Sequence, residues 1–474
     1  MGFKLSNANH IPLFYKLIYG LGAFVNNLLA AAIGGMVIVL NLGLGMNPAL
    51  VGLLGAIPRL TDAITDPLMG FISDNTRSRW GRRRPYIFIG AIVAGLSFAV
   101  LWQFPSNMSE SFYFWFFLLG SFVFYLGYTI FATPWVALGY ELTADYHERT
   151  RLMGVQNFIG QLAYVVSPWF LVIMQAEMFD DMVEGASYLA LGIGLITIII
   201  GILPAIYLRE RFAKGAKPGI SLASARVIDN VKAFLKGFAL TLSVKPFRYL
   251  CYATFLVFNG FMLIAAFSSY VIIYYVFSGD TEMGAEYAGW AGSVGAVSTF
   301  IVIALVSMLS SRIGKRKTFF VAMWLSIVGY ALKWVCYSPD MPWLVVVPAP
   351  FMAFGLGALF TLMGSMMADV CDYDELQTGQ RREGMFGSIY WWVVKLGMAA
   401  ALAASGFLLN ATGFDVALKG AQTDDAILLM RLFDVLIPIL ATLLAVWAIK
   451  RYDLTEHKAN EIREILELRR GDHG

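Results

Sequence analysis

Twelve long apolar runs divide this 474-residue chain, at about 14–42, 48–74, 86–104, 112–142, 152–176, 186–208, 247–278, 285–311, 317–338, 342–371, 384–411 and 426–449. A helix needs roughly 20 apolar residues to cross the hydrocarbon of a bilayer. Backbone exposed to lipid must satisfy its own hydrogen bonds, so runs of this length are helices. The composition agrees: 58% of residues are hydrophobic and 14% charged, against roughly 25% charged in a soluble domain. The expected fold is an all-α polytopic membrane protein of twelve transmembrane helices in two six-helix bundles.

Loop charge sets the expected orientation. One alternate set of loops carries Arg77, Arg79 and Arg82 to Arg84, then Arg149 and Arg151, then Arg312 and Lys315 to Lys317, then Arg381 and Arg382. The other set is short and acidic, with Glu177, Asp180, Asp181, Asp280, Glu282 and Asp340 among its residues. Basic loops face the cytoplasm. Both termini are then cytoplasmic, which fits an even number of spans in a bacterial inner membrane. The net charge of +3 is therefore a topology signal and gives no reason to expect nucleic acid as a partner. A polar stretch links the two groups of helices. The expected division is 1–208, a linker at 209–246, 247–450, and a charged tail at 451–474.

Ionisable groups inside such helices are costly and mark function. In Arg59-Leu60-Thr61-Asp62-Ala63-Ile64-Thr65-Asp66-Pro67, two acids stand one helical turn apart on one face. Arg59 precedes them on that face. Two acids against one arginine leave a formal surplus of one negative charge. A purely structural ion pair has no need of that surplus, whereas a cation site does. Thr65 and, in the fourth run, Thr129 offer hydroxyl oxygens of the kind hard cations take. Asp62 and Asp66 would hold the metal ion if the cation is Na⁺. If it is H⁺, one of them takes up and releases the proton.

Lys395 lies some eleven residues into the eleventh run, about 16 Å along a helix, too deep for easy snorkelling. It is expected to neutralise the acid pair or to meet substrate. Trp391 is one turn before it, Tyr390 is adjacent, and Trp135 follows Pro134 in the fourth run. Aromatic faces beside polar groups suit a sugar ring. Asn27 and Asn157 offer amides to substrate hydroxyls or to neighbouring helices. Lys333, in the ninth run, has no partner evident in the sequence. Asp369, Asp372, Arg381 and Arg382 flank the turn between the tenth and eleventh runs. They are expected to form a cytoplasmic gate.

Several motifs taken together resemble the glycoside–pentoside–hexuronide:cation symporter family of the major facilitator superfamily. They are Arg59-x-x-Asp62-Ala63-x-x-Asp66-Pro67-x-x-Gly70, Arg77-Ser78-Arg79-Trp80-Gly81-Arg82, Asp369-x-x-Asp372-Tyr373-x-Glu375 with Arg382-Glu383-Gly384, and Lys395. The resemblance implies two parallel repeats that rock around a midplane site, with the cation at Asp62, Asp66 and Thr129. It also shows departures. Thr65 replaces an asparagine common at the third cation position. Asn27 and Ala132 replace two acids that hold sugar in melibiose-type carriers, and Asn157 replaces a basic contact. With Lys395 retained, a less acidic pocket favours a uronide or another glycoside over melibiose. The expected function is secondary active symport: Na⁺ or H⁺ influx drives uptake of a sugar, glycoside or uronide by a monomer in lipid. The alternative is symport of a lysolipid or other amphiphile. No cofactor is expected beyond the coupling cation. The chain carries no nucleophile–base constellation, nucleotide loop or metal motif of an enzyme.

Overall fold

The computed structural model describes residues 11–76, 78–142, 146–210, 241–379 and 383–471. The first six long helices are α1 (Leu13–Met36), α2 (Pro48–Asn75), α3 (Arg84–Leu101), α4 (Glu110–Glu141), α5 (Tyr146–Val166) and α6 (Met182–Gly201). The next six are α7 (Lys245–Val271), α8 (Thr281–Ile313), α9 (Lys315–Cys336), α10 (Pro348–Thr378), α11 (Glu383–Ala411) and α12 (Asp424–Lys450). A final helix, α13, spans Glu456–Gly471. No strand occurs among the described residues. Every expected apolar run falls on a helix. Among the described residues, eleven helical stretches have the length and hydropathy to cross a bilayer. The remaining helix, α2, is apolar over Pro48–Thr61 and then carries Asp62, Asp66 and Asp74. Its 28 residues still reach about 42 Å.

Side-chain caps fix several helix starts by satisfying orphan backbone N–H groups. Asn47 Oδ1 accepts from Ala49 N at 2.9 Å, with Pro48 in the first turn of α2. Asp181 Oδ1 accepts from Glu184 N at 2.8 Å while Glu184 Oε2 accepts from Asp180 N at 2.7 Å. Asp280 starts α8 and Thr423 starts α12 in the same manner.

The chain forms two compact units, Met1–Ser224 and Ala225–Gly474. In the first, α1 packs on α5, α2 on α4, and α3 on both α4 and α6. In the second, α7 packs on α11, α8 on α10, and α9 on both α10 and α12. Adding six to each helix number of the first set gives the second, so each unit repeats one pairing pattern.

The repeat extends to the turns before α3 and α9. Gly81 has φ +107° and Gly314 has φ +83°, a region that L side chains rarely adopt. Each glycine also lies against a carboxylate from the chain that follows the unit's sixth helix. A Cβ at Gly81 would stand 2.6 Å from Glu210 Oε1, and one at Gly314 would stand 2.6 Å from Glu456 Oε2. The Glu210 carboxylate accepts from three backbone N–H groups at the start of α3: Arg82 (2.8 Å), Arg83 (2.7 Å) and Arg84 (3.1 Å). Converging N–H groups and the helix dipole favour an anion there. Arg84 turns back to donate from Nε to Ala205 O at 2.6 Å and from Nη2 to Ile206 O at 3.0 Å. The basic motif at residues 77–84 is thus, in its last three residues, a clasp that ties the α2–α3 turn to the chain after α6. Glu210→Ala removes the acceptor of all three bonds, and the expected loss is about 2–3 kcal/mol of stability. Thermal unfolding of the purified protein reads it, with Glu210→Gln falling between the variant and the wild type.

Candidate cation and substrate site

Asp66 is placed by α2 and met by α4, the helix packed against it. Thr129 Oγ1 donates to Asp66 Oδ1 at 3.0 Å, and Thr133 Oγ1 approaches the same oxygen at 3.4 Å. Thr65 Oγ1 lies 3.4 Å from Thr129 Oγ1 and also donates to Thr61 O at 3.2 Å. Thr129 is buried. Of the residues expected to bind cation, Asp66, Thr65 and Thr129 therefore converge. The side chain of Asp62 lies outside the described residues. Thr133 was missed in the sequence. Its signal was the spacing from Thr129, one turn on the same face of α4.

Arg59 stands beside this cluster's neighbouring turn. Its guanidinium carbon is 5.7 Å from the centre of the Tyr125 ring, in cation–π range. With Leu29, Ala30, Ile33, Phe124, Tyr125 and Tyr128 it lines a small recess between α1, α2 and α4. Thr65, Asp66, Thr129 and Thr133 thus form an oxygen-rich patch, with an aromatic and guanidinium recess a turn away. Such a patch can hold a hard cation, because the hydroxyls that donate to the carboxylate can rotate to present lone pairs.

The expected substrate residues are spread out. Asn27 accepts from Asn26 Nδ2 at 3.3 Å, and its own Nδ2 abuts α5, where a Cβ at Gly160 would stand 2.9 Å from it. Asn157 is exposed on α5. In the second unit, Tyr390 is half-buried and its hydroxyl accepts from Thr254 Oγ1 at 3.4 Å. Trp391 is exposed, with its ring 5.9 Å from that of Tyr390. Lys395 is half-buried one turn further along α11.

One expectation needs correction. Trp135 does not present a face to substrate. It is 2% exposed, stacks on Tyr19 at 5.1 Å and donates from Nε1 to Tyr19 O at 3.3 Å. Gly22 of α1 opens the space for the indole, since a Cβ there would stand 2.2 Å from Nε1. Sequence spacing gave its proximity to polar groups but not the side of α4 it occupies. The gate residues are placed in part. The buried Asp369 accepts from Lys315 of its own unit at 2.7 and 2.8 Å. Asp372 is half-buried on the same helix, and Arg381 and Arg382 lie outside the described residues. Lys333 proves to have a partner after all, Asp434, at 2.5 Å.

Two helical units share one pairing pattern, and among the described residues eleven helical stretches are long and apolar enough to cross a bilayer, as in a multi-pass membrane protein. The fold matches the crystal structure of a bacterial homologue of the human lysosomal transporter Spinster, with TM-score 0.63 and 18% identity. That match covers 93% of this chain and 96% of the other. The chain belongs to the MFS/sugar transport protein family, whose model matches residues 13–456. Among its relatives is the isoprimeverose transporter of Lactiplantibacillus pentosus, 24% identical, with 96% of this chain and 92% of that protein covered. The glucuronide carrier protein homologue of Escherichia coli (strain K12) is 25% identical, with 94% and 93% covered. The resemblance to glycoside:cation symporters read from the motifs is borne out, and the family is one of transporters rather than enzymes. The placement of Trp135 leads to a prediction. Trp135→Phe removes one indole hydrogen bond, so stability falls by about 1 kcal/mol while affinity for a bound glycoside, measured calorimetrically, is unchanged.

Proposed function

We propose that this protein is a symporter that couples influx of Na⁺ or H⁺ to uptake of a glycoside, with carboxylated sugars among its preferred substrates. The observation that carries the reading is the pair of Thr129 and Thr133 hydroxyls on Asp66, with Thr65 against Thr129, on a helix whose first half is apolar. Asp62 is one turn before Asp66 on the same helix and completes the acidic pair. Cation binding removes surplus negative charge and favours the state that accepts substrate. Cation and substrate then cross together by alternating access, with Asn27, Asn157, Tyr390, Trp391 and Lys395 as candidate substrate contacts. Membrane potential contributes about 2.3 kcal/mol per charge per 100 mV, or roughly fifty-fold accumulation for one cation per substrate.

The names of two relatives, an isoprimeverose transporter and a glucuronide carrier homologue, support a glycoside as cargo. A lysine at residue 395, with uncharged residues at 27 and 132 where melibiose-type carriers have acids, supports tolerance of a carboxylate. The basic loops support cytoplasmic termini in a bacterial inner membrane.

Substrate-induced cation uptake in proteoliposomes tests the proposal, screened over neutral and acidic glycosides with Na⁺ or H⁺ gradients. Asp66→Asn and Asp62→Asn are each expected to abolish concentrative uptake in folded protein. Thr129→Val removes one oxygen and is expected to raise the cation concentration for half-maximal uptake about ten-fold. Full accumulation in both Asn variants refutes the scheme. Uptake of galactosides with uronides ignored removes the substrate preference.

A further inference from the structure

Lys333 and Asp434 form a second charged centre, remote in sequence from the cation cluster and confined to the second unit. Each is 1% exposed, and Lys333 Nζ lies 2.5 Å from Asp434 Oδ2. Lys333 Nζ also donates to Ser268 Oγ at 2.7 Å, and Ser268 Oγ lies 2.9 Å from Asp434 Oδ1. The Tyr337 ring covers the ammonium at 5.2 Å. The three polar residues come from α7, α9 and α12, so one ion pair and one hydroxyl tie three helices at a single level.

A second tier joins the same three segments. Arg431 is three residues before Asp434 on α12, and its guanidinium carbon lies 3.9 Å from the Tyr275 ring and 4.3 Å from the Trp334 ring. Its Nη2 donates to Trp334 O at 3.1 Å. Trp334 is next to Lys333 on α9. Tyr275 lies in the π-helical turn Ile272–Val276 that continues α7.

The balance of charge separates this centre from the cation cluster. One ammonium meets one carboxylate, and their close partners complete both groups, so the centre has no surplus for an ion to neutralise. The two charges have left water for an apolar interior, and their mutual attraction does little more than offset that cost. Removing one partner strands the other.

We infer that Lys333, Asp434 and Ser268, with Arg431 between Tyr275 and Trp334, form a fixed interlock that holds α7, α9 and α12 in register. The inference adds that neither charge takes part in cation coupling, a point that rests on the symport reading above. What the interlock requires is neutrality at residues 333 and 434, supplied equally by an ion pair or by two apolar side chains of similar size.

The test is a double-mutant cycle read by thermal unfolding and by uptake. Lys333→Met and Asp434→Leu alone are each expected to lower the unfolding midpoint by roughly 10 °C. The double variant Lys333→Met/Asp434→Leu is expected to return to within a few degrees of wild type and to keep cation-driven accumulation. Arg431→Lys keeps the charge but loses the planar stack, and its midpoint is expected to fall by several degrees. A double variant as unstable as the singles overturns the neutrality requirement. A double variant with the wild-type midpoint that no longer accumulates substrate overturns the separation from coupling, because the charges then act in it. An unchanged midpoint in Arg431→Lys overturns the outer tier. If the wild type itself shows no cation-driven uptake, the symport reading fails, and the midpoints alone still decide the interlock.

Discussion

An ionised side chain among apolar helices costs several kcal/mol unless something beside it replaces the lost water. The charged groups of this chain are arranged around that cost, and each meets it differently. Glu210 is held by three backbone N–H groups at a helix start. Asp369 is held by the Lys315 ammonium, and Asp434 by Lys333 and Ser268. At Asp66 the visible answer includes hydroxyl groups on α4. Hydroxyls differ from the other partners because they rotate. A backbone N–H or an ammonium can only donate, whereas a threonine donates to a carboxylate in one state and offers a lone pair to a cation in another. Asp66 meets two such hydroxyls, whereas Asp434 meets one beside its ammonium.

The architecture was legible because its signal is length. A run of some 20 apolar residues has one solution in lipid, and no knowledge of packing is needed to find it. The second helix was legible for the opposite reason, since Asp62 and Asp66 stand out from an apolar background. Threonine at residue 129 could be joined to them through the family resemblance, and Thr133 could have been reached by counting one turn further. What could not be read was orientation about a helix axis when nearly every face is apolar. Trp135 is the case in point: its neighbours in sequence are shared with the cation cluster, yet the ring turns toward α1 and into the space left by Gly22.

Partners distant along the chain were hidden for a related reason. Lys333 and Asp434 are 101 residues apart, and nothing local to either names the other. Glu210 finds its donors about 127 residues earlier, and those donors are backbone groups, which every residue type but proline carries. A sequence displays the basic side chains of Arg82 to Arg84 and suggests that charge is their business. In the structure their main-chain N–H groups bind the carboxylate. The arginine side chain at 84 serves mainly to cap the carbonyls of Ala205 and Ile206.

The two units share one helix pairing and one glycine–glutamate turn, and yet they treat buried charge differently. In the first unit Asp66 lies on α2, whose neighbour α4 presents threonines. In the second the matching pair is α8 with α10. There the buried Asp369 on α10 and Asp434 on α12 each meet a lysine of α9. Duplicated folds are free to diverge in this way because the pairing pattern depends on small residues and apolar contact, which are indifferent to where a charge is placed. An ion that must enter and leave needs a site whose protein charge is incomplete without it. A scaffold that must persist through the cycle needs the reverse. On the proposed reading, dividing these demands between repeats leaves one unit to respond to a cation and the other to keep its helices in register.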